Sequence, residues 1–571
     1  MTAQHAVGDI SAARCRYLLA GVLGVNLALT LHGITWALPD RWSFDEQVVY
    51  SLRLLASGSP LTVTNAIHPQ LYNFFLAIAF VPYLAFLWIV GAPLSAIRAA
   101  AGTSWNQLAH QFPDVATSLY LVARLSSVAL GLLSIVIVFR LGRRVKSRRA
   151  GLIAAAVLAV SMGFISTNHL AKHTSLVVFL VLLVTDLAVT AYMTGRARYL
   201  RGAAFCAGLA ATAKLDGVIS LLPLCAACYY LWRQRAGDDT RLRDGGENVV
   251  GLAAWMALLF VAGVAVGWPV LFTGGIGQYL AGRERQLGVY YGGFPPLNAE
   301  GLRLVAGKVH DNFLHLFVVF GPPLGAVAVV AAARFVVTAK SSIPSRILLW
   351  LAVPYSALVV GYYTEYPGAS TKLMIHLLPL LSVMVGVAFD DWRNRVATVA
   401  LAVALVWAVV HTERANRVFA GGDTRYELTD WIERNVDRSA KIEITQEGDL
   451  FFASRILFEY DVTYLGRSSK TYAGSLFKPT AELNEETYRP TLDRDGSRAD
   501  YFMVASWERN VADNVPFDSF LGRLMRNDVP DYRLERVFMP PDSPYWLPLP
   551  EYTSPTMMVF ERIPPRHRER S

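Results

Sequence analysis

Two adjacent carboxylates, Asp45 and Glu46, stand in the stretch RWSFDEQVVY (residues 41–50), directly after the first long apolar run of the chain. A carboxylate beside a membrane can accept a proton from an attacking hydroxyl or amine. The same stretch also reads as plain local structure. Ser43, three residues before Glu46, has capping-box spacing, and Val48, Val49, Leu52 and Leu55 then share one helical face up to Gly58. On that reading Glu46 holds a helix start and Asp45 is merely favoured by the helix dipole. Both readings stay open for both residues.

Further ionisable groups gather at the ends of apolar runs. NAIHPQLYNFF (65–75) carries His68 and Tyr72, and LVARLSSVALGLL (121–133) carries Arg124. STNHLAKHTS (166–175) holds His169, Lys172 and His173, and ATAKLDG (211–217) holds Lys214 and Asp216. TEYPGASTKLMIHLLP (364–379) supplies Glu365, Tyr366, Lys372 and His376. Such groups are costly near hydrocarbon, so a cavity that uses them is the default hypothesis. Cations with a carboxylate suit transfer from an anionic, lipid-linked donor: Arg and Lys would hold a phosphate and stabilise its charge as it leaves. Plainer readings accompany these. Lys172 and Lys372 fit interfacial snorkelling, and His169 and His376 fit packed, satisfied histidines. Arg124, one turn inside a span, needs a partner. Asp186, mid-span on the inner half, suggests only an interhelical hydrogen bond. Cys225 and Cys228 have metal-ligand spacing but no second pair, and read as small apolar residues.

The elements that must position these groups are apolar helices. The 571 residues are 54% hydrophobic and 17% charged, with mean hydropathy +0.35, whereas a soluble chain is roughly a quarter charged. Apolar runs of about 17–25 residues recur from residue 17 to residue 412. The first, 17–38, follows Arg14 and Arg16, lacks a small-residue cleavage site and reads as a retained helix. Basic loops at 140–149, 195–202, 233–243, 334–346 and 390–395 give the positive-inside signature, so the net charge of +9 does not point to nucleic acid. Spans are predicted at 118–139, 151–167, 174–193, 202–214, 217–232, 248–271, 311–333, 347–363, 372–389 and 395–412, about eleven crossings with the first run. Placing the basic loops inside leaves 39–117, 168–173, 272–310 and 364–371 outside, with the tail after 412. A single crossing by the apolar segment 71–96 would invert every later basic loop, so that segment is expected to lie on the outer surface or to enter and return.

From about residue 413 charges return. YELTDWIERN has helical spacing of Leu428, Trp431 and Ile432, while ADYFMVAS and TMMVFERI read as buried strands. The expected organisation is a membrane domain over 1–412, with a juxtamembrane outer loop at 39–117, and a small α/β extracytoplasmic domain over 413–571. The Pro-rich MPPDSPYWLPLPEYTSP cannot be a central strand. There is no internal repeat and no Gly-rich phosphate loop.

The ordered set of segments resembles a known family. The acidic DE after the first helix, then HPQLY, then ARLSSVALGLLSIVIVFRLGRRV, is similar to the GT-C class of membrane glycosyltransferases, in the branch of the protein O-mannosyltransferases and the lipid A aminoarabinose transferase. GLAATAKLDGVISLLPL resembles that branch's GLA-x-x-TK segment, and ADYFMVAS resembles strands of its outer C-terminal domain. The resemblance implies an α-helical polytopic fold, a polyprenyl-phosphate-linked sugar donor, an inverting single displacement, and an active site on the outer face of the cell membrane. It implies that HPQLY belongs to a juxtamembrane helix. Asp45 would be the base or acceptor-positioning carboxylate, supported by Glu46, and Arg124 would bind near the donor phosphate. The matches at His68 and Lys214 imply participation without a defined role, and Tyr72, Lys172 and Lys372 join them as substrate-binding candidates from the gathering of groups at the outer ends. Some members of the class need a divalent metal ion and others do not, and no ligand set in the sequence decides the matter. HPQ stands where the family more often has HPP, the insert 82–117 is long, and AKHTS fits the second outer loop only loosely.

The sequence therefore predicts an inverting glycosyltransferase acting on a protein, lipid or glycan acceptor. The alternative is a multi-pass transporter or lipid flippase, which would place ionisable or helix-breaking sites near the midplane and repeat one half in the other. Charges clustered at outer ends and the lack of related halves favour the transferase.

Overall fold

The structure, a computed structural model, describes residues 10–40, 42–43, 46–59, 69–103, 105–235, 249–273, 277, 280, 298–339, 342–362, 374–391, 395–444, 451–464, 467–468, 499–506, 523–524, 526, 528–529, 531–540 and 554–563. The chain begins with α1 (Ala12–Leu31), α2 (Val48–Ser57), α3 (Leu71–Ile89), α4 (Leu94–Thr103), α5 (Trp105–Gln111) and α6 (Pro113–Val145). It continues through α7 (Arg148–Ala159), α8 (Met162–Asn168), α9 (His173–Thr194), α10 (Ala197–Ala213), a 3₁₀ turn (Leu215–Ser220), α11 (Leu221–Arg235) and α12 (Val249–Gly267). Then come α13 (Ala299–Phe320), α14 (Pro322–Thr338), α15 (Ile343–Tyr362), α16 (Leu377–Asp391) and α17 (Arg395–Asn416). Among the described residues seven helices are long and apolar enough to cross a membrane, eight when the bent pair α7 and α8 counts as one span. The protein is thus a multi-pass membrane protein.

Its centre is built from α6, α9 and α10, with α7 and α16 against them. Small residues allow close crossings where lipid provides no hydrophobic drive for helices to associate. On Gly208 of α10, a Cβ would sit 2.2 Å from the Phe260 carbonyl oxygen of α12, so only glycine fits.

Several boundaries differ from the sequence expectation. The first run, expected over 17–38, stops being helical at Leu31. Gly33 turns the chain with φ 78°, and a Cβ there would lie 2.6 Å from the Phe419 backbone. The capping box expected at Ser43 and Glu46 is not formed. α2 begins at Val48 without a side-chain cap, because the Glu46 carboxylate is engaged elsewhere, although the helix does end at Gly58 in the left-handed conformation (φ 65°). The single span expected over 311–333 is two helices, α13 and α14. They break at Gly321 (φ 78°) and Pro322, which opens α14 where its missing N–H costs nothing. The span expected over 151–167 is the pair α7 and α8, bent by 61°.

Segment 71–96 contains α3, a continuous helix with the length of a crossing. However, α4 follows within five residues, and its Arg98 Nη2 donates to the Ala56 carbonyl of α2. The chain is thus beside α2 again without a second spanning helix.

After α17 the chain changes architecture. α18 (Thr424–Asn435) is N-capped by Asp423 and packs Leu428 and Ile432 onto a sheet. That sheet contains β1 (Lys441–Ile444), β2 (Asp461–Tyr464), β3 (Arg467–Ser468), β4 (Tyr501–Ser506), β5 (Tyr532–Phe538) and β6 (Thr556–Arg562), in the order β3-β2-β1-β4-β6-β5. β1 pairs in parallel with β2 and β4, while β6 runs antiparallel to β4 and β5. The two strands expected from ADYFMVAS and TMMVFERI are β4 and β6, paired with Phe502 opposite Phe560. A short helix, α19 (Ser454–Glu459), completes this part. Most of the Pro-rich stretch lies outside the described residues.

Candidate functional site

α6 opens with Pro113 and Asp114, favourable at a helix N-terminus, and carries Arg124 eleven residues later. The Arg124 side chain is fully buried, and Glu46 is its partner. Nε donates to Glu46 Oε1 and Nη2 to Oε2, both at 2.9 Å. Nη1 donates to the Ile34 and Trp36 carbonyls at 2.7 Å each. The guanidinium is therefore committed to the chain between α1 and α2, and this geometry replaces the expected contact with a donor phosphate.

Glu46 in turn reaches the turn between α8 and α9. Its Oε1 accepts the Ala171 N–H at 3.0 Å, and the neighbouring Gln47 N–H donates to the Ala171 carbonyl at 3.1 Å. The acidic loop and the turn carrying Lys172 are thus joined in both directions. Lys172, at the N-cap of α9, is buried. One turn on, Val177 meets the 3₁₀ turn: its Cγ2 lies 2.8 Å from where a Cβ on Gly217 would be. That turn carries Asp216, whose Oδ2 lies 2.9 Å from Lys214 Nζ and 3.5 Å from His376 Nε2. His376 is 3% exposed and meets the Tyr355 ring edge-on. Glu46 with Arg124, and Asp216 with Lys214 and His376, are therefore linked through the turn carrying Lys172 and the first turns of α9.

Tyr72 sits at the start of α3, is 1% exposed, and shares a 2.9 Å hydrogen bond with Ser127, one turn along α6 from Arg124. It fixes α3 against α6, which differs from the expected contact with substrate. His169 is packed, with Nε2 donating to the Gly33 carbonyl at 2.8 Å and its ring stacked on Phe419. Asp45, His68 and Lys372 lie outside the described residues, as do Glu365 and Tyr366. Among the described residues no group of three or more His, Cys, Asp or Glu side chains converges as a metal site would require.

Two sets of residues have partners that the sequence left unnamed. Asp186 pairs with Arg140 (2.9 Å) and Arg144, an ion-pair cluster between α9 and α6. Arg140 lies sixteen residues beyond Arg124, about 24 Å along a helix axis, so the two buried acids meet α6 at well-separated points. Trp36 and Trp42 are each 1% exposed and form a cluster with Leu170, Phe419 and Tyr426. Two tryptophans flanking Pro39 in ITWALPDRWSF hinted at a packed loop, but nothing local pointed to partners some 390 residues away.

Residues 109–267 match the family model described as dolichyl-phosphate-mannose-protein mannosyltransferase. No curated protein matches the chain. Among solved structures, the chain is similar to ArnT from Cupriavidus metallidurans bound to undecaprenyl phosphate, at 12% identity over 96% of this chain and 98% of that one, with a TM-score of 0.48. It is similar to the Archaeoglobus fulgidus oligosaccharyltransferase in complex with Zn and sulfate, at 12% identity over 95% and 88%, with a TM-score of 0.47. It is also similar to the S. cerevisiae protein O-mannosyltransferase Pmt1–Pmt2 complex bound to the sugar donor, at 16% identity over 48% and 34%, with a TM-score of 0.30. At such scores and identities these likenesses say nothing of residue roles. The matched segment carries Arg124, Lys172 and Lys214, and over residues 109–267 it bears out the resemblance to the GT-C membrane glycosyltransferases read from the sequence.

Proposed function

We propose that the protein moves a sugar from a polyprenyl-phosphate-linked donor to a protein, lipid or glycan acceptor on the outer face of the cell membrane. The acceptor oxygen or nitrogen attacks the anomeric carbon in line. The carbon–oxygen bond to phosphate breaks, the polyprenyl phosphate leaves with the bonding pair, and the configuration inverts. Asp45 takes the acceptor's proton. Glu46 and Arg124 hold the loop that carries Asp45, and Lys172, Lys214 and Lys372 offset the charge growing on the leaving phosphate. His68 belongs to the same substrate face. The chain divides near residue 413 into the membrane domain and an extracytoplasmic C-terminal domain.

The observation that carries the reading is the convergence of the acidic loop with the matched segment. Glu46 binds Arg124 and Ala171, and the turn that follows leads through Val177 to Lys214 and Asp216, all within residues 109–267 apart from Glu46 itself. The matched family's own description names a polyprenyl-type phosphate sugar as donor. Purified protein supplied with labelled polyprenyl-phosphate sugars extracted from membranes tests it: label should pass to acceptor with release of polyprenyl phosphate. Transfer from a nucleotide sugar alone, or movement of the intact lipid across a vesicle without transfer, would contradict it.

A further inference from the structure

The start of α18 makes a set of contacts that the reaction does not itself require. Asp423 accepts the Arg425 backbone N–H (3.0 Å) and its Nε–H (2.9 Å) at Oδ1. At Oδ2 it accepts Arg425 Nη2 (2.8 Å), Trp36 Nε1 (3.2 Å) and the Ser554 N–H (2.8 Å). Asp423 and Arg425 are fully buried. The Arg425 guanidinium lies against two rings, 5.2 Å from the Trp36 centroid and 4.6 Å from that of Trp42, and Nη1 donates to the Trp42 carbonyl at 3.2 Å. Next along, the Tyr426 hydroxyl accepts the Ala37 N–H at 2.7 Å.

Two non-glycine residues among those described have positive φ, Ala37 (66°) and Ser554 (50°), and both hydrogen-bond this one helix start. Strained backbone of this kind persists only where the surroundings over-determine it, and it gathers where geometry matters for function. The path onward is short. Trp36 gives its carbonyl to Arg124 and lies 5.9 Å from that guanidinium, and Arg124 holds Glu46. On the other side, Trp42 directly precedes Ser43, and both are buried.

We infer that Arg425 is a positioning residue for glycosyl transfer: through Trp36 and Trp42, the first turn of α18 sets the geometry of the acidic loop, so the C-terminal region governs the rate of the chemical step. This rests on the transfer reaction proposed above. Misplacement by about 1 Å far from the reacting atoms can cost on the order of 100-fold in rate, which a tether would not.

The test compares the full-length wild type with Arg425→Gln, Arg425→Lys and the milder Tyr426→Phe, which keeps the ring and loses only the acceptor for Ala37. Three quantities are read: hydrogen exchange in residues 33–43 with α9 as reference, affinity for labelled polyprenyl-phosphate sugar, and single-turnover transfer. Arg425→Gln should speed exchange in 33–43, leave α9 protected and donor affinity within about twofold, and slow transfer by about 10- to 100-fold. Arg425→Lys should fall between, since it keeps the charge but loses the planar fork. Unchanged transfer despite faster exchange would overturn the inference and leave a tether. A loss of donor affinity equal to the loss of rate would overturn it too. If Arg425→Gln loses α9 protection, Tyr426→Phe decides by the same two criteria. Should the wild type move no sugar, the proposed reaction falls and this inference with it, while the exchange data still show whether the joint couples the two parts.

Discussion

Arg124 and Glu46 meet with two parallel hydrogen bonds of 2.9 Å, and neither side chain is more than 1% exposed. Removing one member strands the other charge away from water, which costs about 3–5 kcal/mol. Glu46→Gln and Arg124→Met should each lower stability by that order, and Arg124→Lys should not restore it, because an ammonium cannot span both oxygens. The double variant Glu46→Leu with Arg124→Met should be less damaging than the sum of the two. Denaturant unfolding of the detergent-solubilised protein measures this; single variants as stable as wild type would show that the pair is incidental.

The loop held by that pair is in contact with the turn before α9, and α9 with the Lys214–Asp216–His376 group. If Lys214 shares its ammonium with a donor phosphate, it contributes a charge-assisted hydrogen bond of about 1.5–3 kcal/mol. Lys214→Met should then weaken binding of labelled polyprenyl phosphate by at least ~10-fold. Arg140→Met, sixteen residues beyond Arg124 on α6, should leave that affinity unchanged. Equal affinities for wild type and Lys214→Met would reduce Lys214 to the partner of Asp216.

Asp40 offers a dependence on pH. Its Oδ1 accepts the Ser454 N–H at 2.7 Å, joining the loop after α1 to α19. Burial raises the carboxyl above its ordinary value of 3.8, outweighing the lowering pull of Ser454 and Arg455. The folded protein therefore binds the proton more tightly than the unfolded chain, and stability falls as pH rises from 3.8 through the raised value. Asp40→Asn keeps the acceptor oxygen and removes the charge, so it should raise Tm at neutral pH. The gain should shrink as pH falls toward 3.8. A gain that grows on acidification would reverse the sign of this account.

What the sequence disclosed depended on range. Apolar runs and charge parity act locally, so most helices, the strands β4 and β6, and α18 with Leu428 and Ile432 inward were legible. Helix breaks were less so: a hydropathy window averages across Gly321–Pro322 and across the bend between α7 and α8. Glu46 stood out because a charge beside an apolar run demands explanation, yet its capping-box spacing was misleading. The partner that won was Arg124, 78 residues away. Trp36, Trp42, Asp423 and Arg425 were illegible as a group for the same reason, since their contacts span some 390 positions and no period or spacing encodes them. Asp186 needed two arginines of a neighbouring helix to explain it.

The proposed transfer depends on the loop that Glu46 and Arg124 hold. The most direct measurement is the rate of label transfer from a polyprenyl-phosphate sugar by purified wild type and by Asp45→Asn, with thermal unfolding confirming that both are folded. Loss of a general base predicts a fall of at least ~100-fold in rate with donor affinity retained. Equal rates would contradict the assignment, return Asp45 to the role of a loop residue, and leave the acceptor's proton to another group.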